Sequence, residues 1–154
     1  MAKLEWSTDT MDSPPTREEE RDYFVGSHRL RFIPPDTVRV WGMGTATGDD
    51  FARIIEWSVL QMENRPYFVI ADLSQLTTIS TDARELSARD TRMHAILRVA
   101  MLGASFHIRV VVSMVTRAME LFYKEQRGKM RFFDNEADAL AWLKAERTRL
   151  GFDM

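Results

Sequence analysis

The chain has 154 residues, 45% of them hydrophobic, and a formal net charge of −2. That length suits one domain with a real core, and so small a charge excludes the basic footprint of a nucleic-acid binder or a polybasic membrane surface. The absence of cysteine excludes disulfides, thiolate chemistry and cysteine zinc sites.

Residues 1–20 are polar, with Pro14-Pro15 followed by Glu18, Glu19 and Glu20. Such a stretch buries too little apolar surface to offset its ordering entropy. The sequence therefore predicts a flexible tail over 1–20 and a single domain over 21–150. Trp6 is the tail residue suited to docking. There is no signal-peptide h-region and no apolar run long enough to cross a bilayer, so a cytoplasmic protein without a membrane span is expected.

"YFVGSHRLRFI" (23–33) alternates His28, Leu30 and Phe32 with more polar neighbours, which predicts a strand. "PPDT" (34–37) reads as a turn and "VRVWGM" (38–43) as a second strand, making a hairpin. "GDDFARIIEWSVLQMEN" (48–64) is predicted helical, capped by Thr47, with Phe51, Ile54, Ile55, Ser58 and Met62 facing the core. "YFVIADL" (67–73) reads as a strand covered on both faces, followed by a polar loop. A second helix is expected from about Thr81 to Leu97, with Ala83, Leu86, Met93 and Leu97 on one face, and "RVAMLG" (98–103) as the next strand.

"FHIRVVVSMVTRAMELFYK" (106–124) carries β-branched residues that favour a strand. Its length decides for a helix, with Ile108, Val111, Val112, Val115, Met119 and Phe122 as the core stripe. "GKMRFF" (128–133) is the last strand. Asp134 then caps a final helix that buries Ala139, Leu140, Leu143 and Trp142. The order is β-β-α-β-α-β-α-β-α, an α/β fold. Its sheet is mainly parallel, covered by helices, with an antiparallel strand from the opening hairpin.

Three stretches invite a chemical reading. Gly42, Gly44 and Gly48 in "WGMGTATG" form a glycine-rich loop before a helix, the kind of loop that cradles phosphate in a nucleotide-binding enzyme. Asp49 and Asp50 put negative charge where a pyrophosphate belongs, so a plain glycine-rich turn is favoured. Asp90 and His94, at i and i+4, could share a metal, but an ion pair on a helix is the expectation, and no metal or cofactor is assigned. The third stretch is the junction after Asp72, where Ser74, Thr77, Thr78, Ser80 and Thr81 gather hydroxyls before a helix start. Ser80 suits the N-cap, and a phosphate on the first turn would be favoured by the helix dipole.

"VIADLSQLTTISTDA" resembles the third strand, loop and second helix of STAS domains (sulfate transporter and anti-sigma factor antagonist). "VAMLGASFHIRVVV" and "RFFDNEADALAWL" resemble more closely the SpoIIAA-like STAS/SEC14 group of small bacterial proteins. The resemblance spans roughly residues 24–147. It implies a regulatory domain that binds proteins. In phosphorylated members the loop reads Asp-Ser-Ser/Thr-Gly; here Ser80, Thr81, Asp82 and Ala83 take those places. The resemblance thus makes Thr81 the phosphoacceptor for a regulatory kinase, although the flanking acid and glycine are replaced. Lipid binding by SEC14 relatives adds a lipid-like ligand.

The helix predicted over 106–124 carries a second apolar stripe, Val110, Met114 and Leu121, beside its core stripe. A helix lying on one sheet face needs a narrower arc. The excess calls for a neighbouring helix, an identical subunit or an apolar ligand, and burying the three would contribute on the order of 5 kcal/mol before entropic costs. The expectation is a non-catalytic module of bacterial regulation. It would bind a protein partner, including itself as a homodimer, through Asp72, Ser74, Ser80 and Thr81 and through Val110, Met114 and Leu121. A carrier or sensor of a small apolar ligand is the alternative.

Overall fold

The structure, a computed structural model, describes residues 22–152. The expected tail over 1–20 and the docking of Trp6 lie outside the described residues. Strands β1 (Asp22–Val25), β2 (His28–Ile33) and β3 (Thr37–Ala46) lead into α1 (Gly48–Gln61). Then come β4 (Tyr67–Ile79), α2 (Thr81–Arg89), a 3-10 turn (Thr91–Ala95) and β5 (Ile96–Leu102). Helix α3 (Phe106–Phe122), a second 3-10 turn (Lys124–Gln126), β6 (Met130–Phe133) and α4 (Glu136–Arg149) complete the chain. The six strands lie in sequence order in one sheet. β1, β2 and β3 pair antiparallel, and β3 to β6 pair parallel.

The expected α/β order is present with one strand more. The stretch expected as a single strand over 23–33 folds back on itself, because Gly26, at φ +59, opens a two-residue turn with Ser27 between Val25 and His28. Two further expectations are corrected. β4 runs on through the presumed polar loop, pairing with β3 as far as Ile79. The second helix stops at Arg89, not Leu97. Asp90 accepts the Arg92 amide and chelates its guanidinium, which starts the 3-10 turn, and Leu97 belongs to β5. Asp90 and His94 are therefore not a helical i, i+4 pair; His94 packs edge-on against Tyr123 at 4.5 Å.

Both sheet faces are covered. α1, α2 and α3 lie over one face, where Val38, Tyr67, Leu73, Met101 and Ile108 join the larger core. α4 lies over the other, against Phe68, Ile70, Ala100 and Leu102. α4 buries Ala139 and Leu143 as expected and half-buries Trp142, but Leu140 faces solvent. Its N-cap is Asn135 rather than Asp134: the Asn135 side chain accepts the Asp138 amide at 2.9 Å. Three arginine–carboxylate pairs tie α4 to the sheet: Arg39–Glu136, Arg98–Glu146 and Arg147–Asp36, at 2.6–2.8 Å.

Glu146 accepts from Arg149 and from Arg98, and these bonds, working against burial, hold its carboxyl down to about 2. A carboxyl depressed in the folded state adds stability above its ordinary value of 4.5 and loses it as pH falls from there toward 2. Glu146→Gln should therefore lower stability at neutral pH and flatten the acid limb of the unfolding curve across that window.

Candidate functional site

The residues singled out from sequence do not form one patch. Asp72 sits inside β4, opposite Trp41 on β3 and Leu102 on β5, on the face that carries α4. Its carboxylate accepts the Ser74 amide at 3.0 Å and the Ser74 hydroxyl at 2.7 Å, a local tie that shapes the chain where β5 leaves the sheet. Ser80 and Thr81 lie six and seven residues further along an extended strand, about 20 Å away. The strand-end cluster expected from sequence is thus split in two, because the segment between is strand and not a folded-back loop.

At the second place Ser80 caps α2, its hydroxyl accepting the Ala83 amide at 3.3 Å and donating to Asp82. The Asp82 carboxylate also accepts the Ala83 and Gly48 amides, at 2.9 and 3.3 Å. One side chain thus clamps the N-termini of α1 and α2 together. The Ser80 bond leads in holding the Asp82 carboxyl below its usual range. Thr81 opens α2 and is exposed.

The glycine-rich stretch makes no phosphate cradle. Gly42 and Gly44 lie within β3, where Gly44, at φ +66, sits at a register shift against β4. The Gly48 amide already serves Asp82. Thr47 and Asp50 close a reciprocal capping box over the start of α1. His28 is buried within the fold. Its Nδ1 accepts the Met43 amide at 3.0 Å, which leaves Nε2 to donate to Asp50 at 3.2 Å.

Helix α3 is helical as expected, with Ser105 as N-cap. Ile108, Val111 and Met119 are buried and Val112 and Val115 half-buried, but Phe122, expected in the core stripe, is bare. The second stripe is bare too: Val110 is 41% exposed, Met114 64% and Leu121 77%, and Phe106 joins them at 82%. Among the described residues no neighbouring helix covers this face. On α1, by contrast, Trp57, which lies off the core face, is stacked on Tyr23 of β1 at 5.5 Å, while Leu60 stays exposed.

Sequence reading missed one further constellation. On the α4 side of β2 and β3, three arginines surround the Trp41 ring: Arg29 at 3.9 Å, Arg39 at 5.0 Å and Arg31 at 5.3 Å. Asp22 pairs with Arg29 and Arg31, and Glu136 with Arg39, so the charges are answered within the fold. The signal lay in the register, because Arg29 faces Trp41 and Arg31 faces Arg39 across the hairpin. Among the described residues no group of three metal-ligating side chains gathers, and no helix is long and apolar enough to cross a membrane.

The family model described as SpoIIAA-like matches residues 37–144. The chain belongs to the SpoIIAA-like family. Among solved structures, one similar in fold is an uncharacterised protein with a SpoIIAA-like fold from Shewanella loihica PV-4. It is 21% identical, with a TM-score of 0.52, over 74% of this chain and 90% of that one. Another is the anti-sigma factor antagonist SpoIIAA in its unphosphorylated form, 16% identical with a TM-score of 0.50, over 80% of this chain and 98% of that one. No curated protein matches the chain. The match agrees with the STAS-like resemblance, and at these identities the solved neighbours show the shared fold.

The clamp at the α1 and α2 N-termini is testable. A Cβ on Gly48 would lie 2.6 Å from the Asp82 carboxylate. Gly48→Ala should cost about 1–3 kcal/mol of stability in denaturant unfolding. In an Asp82→Ala background the same change should cost little or nothing.

Proposed function

We propose that this SpoIIAA-like chain is a non-catalytic regulatory module that acts by protein–protein contact, and that the bare face of α3 binds a second copy of the chain. One observation carries the proposal: Phe106, Val110, Met114, Leu121 and Phe122 stand exposed on one helix. All five fall within about 80° of Met114 on the helical wheel. Met114 is the midpoint, with Phe106 and Phe122 eight residues to either side, while Val110 and Leu121 have Ala118 and His107 as their end-for-end counterparts. Two copies of a bare face centred on Met114 can meet as an antiparallel pair about a two-fold axis, in which the same patch packs against itself. Contiguous exposed apolar surface of this kind marks contact sites, and methionine adapts to them well.

The polar groups considered for chemistry are engaged structurally. Asp72 is tied to Ser74, Ser80 to Asp82, Asp90 to Arg92 and His28 to Asp50. A regulatory role also fits the fold neighbour whose description is an anti-sigma factor antagonist. On this reading Asp72 and Ser74 offer polar recognition on the α4 side. Thr81, exposed at the first position of α2, is the phosphoacceptor. A phosphate there would compete with the Asp82 carboxylate for the amides at the clamp and so report at the α1–α2 junction.

Sedimentation equilibrium should show a dimer at micromolar concentration. Met114→Glu should return it to a monomer with an unchanged circular dichroism spectrum; a wild type that stays monomeric contradicts the proposal. With radiolabelled ATP in lysate, label should appear on the wild type and vanish in Thr81→Ala. Label that survives the substitution assigns the acceptor elsewhere.

A further inference from the structure

The larger core is hollow. Between the sheet and the α1–α2–α3 layer lies a partly open cavity of about 210 Å³. Its cause is a meeting of small side chains. α2 turns Ala83 and Ser87 toward it, and β4 answers with Ala71. The burial pattern records the same gap. Val40, Val69 and Ala71 lie in mid-strand on the two central strands, under the helices, yet stay half-exposed, while Val38, Tyr67 and Leu73 on the same face are buried. Protein interiors are otherwise packed with few voids larger than a water molecule.

The wall offers hydrocarbon almost throughout. Its few polar side chains are turned to partners of their own: Ser58 donates to the Ile54 carbonyl at 2.8 Å, Ser87 to the Arg84 carbonyl at 3.0 Å, and His28 is held by Asp50 and Met43. Tyr67 supplies its ring. Its hydroxyl is shut off from solvent beside Ser58, and burial pushes it up to about 12, so it stays neutral. Water entering such a space finds too few partners, and an apolar hollow of about 150 Å³ stays dry and accepts benzene.

We infer that this cavity is a binding site for a compact, neutral, apolar ring compound of about eight to ten non-hydrogen atoms, held by Val69 and Ala71 of the sheet and Phe51 and Val112 of the helices. A charged or strongly polar occupant is rejected because nothing in the wall replaces its lost hydration. The ligand would brace all three helices at once, since α1, α2 and α3 each contribute wall. Val112 lines the cavity about 160° around α3 from Met114, at the centre of the bare face, so ligand binding here is independent of α3 pairing.

Naphthalene is the probe. Titrated into the full chain, it should shift the methyl resonances of Val69 and Val112 saturably and raise the melting temperature. Ala71→Leu should fill the space, raise the ligand-free melting temperature and weaken naphthalene binding by more than tenfold. Ser87→Leu fills it from the helix side and serves if the first variant misfolds. Absence of saturable shifts up to the solubility limit of naphthalene overturns the inference. So does binding that survives both substitutions, or displacement of the probe at equal concentration by a long-chain fatty acid.

Discussion

Helix α3 carries hydrocarbon around more than half of its circumference, and a single sheet face can cover only part of it. That constraint shapes the rest of the molecule. Ile108, Val111 and Met119 are drawn into the core and set the helix on the sheet. Phe106, Val110, Met114 and Leu121 are then left outside. Folding covers one half of the helix and, among the described residues, leaves the other half exposed.

The same layer explains the hollow beneath it. α2 is nine residues long and meets the interior with alanines and a serine. At its first turn Asp82 joins it to α1 through the Gly48 amide. A helix held by its end over a small-residue stretch of sheet cannot close the gap. The small side chains that α2 and β4 turn toward each other therefore leave the cavity open. On the opposite face the arrangement differs: α4 is pulled down by Arg39, Arg98 and Arg147 and packs over Phe68 and Ile70.

Much of this was legible in the residues, and the failures have physical causes. The helical nature of 106–122 followed from length and spacing despite four valines. Thr47 and Ser80 behave as the capping residues they resemble. The hairpin turn at Gly26 was hidden because apolar residues continue on both sides of it. The extension of β4 was hidden by two register shifts against β3, which space the inward residues Leu73, Leu76 and Ile79 three apart and erase the two-residue period of a strand. Asp72 and Thr81 looked adjacent for the same reason. The bare stripe on α3 was readable as excess, although Phe122 was placed in the wrong half. Neither the arginine cage around Trp41 nor the cavity could be read from sequence. The first depends on strand register, and the second on how three small side chains from two elements meet.

Because the chain has no cysteine, single spin labels can be placed without background. Dipolar spectroscopy on Ser113→Cys and, separately, His107→Cys measures the self-association of α3 directly. The account predicts a short distance between copies at 113, near the two-fold axis, and a longer one of about 20 Å at 107. No dipolar coupling at either position, or equal short distances at both, would contradict it.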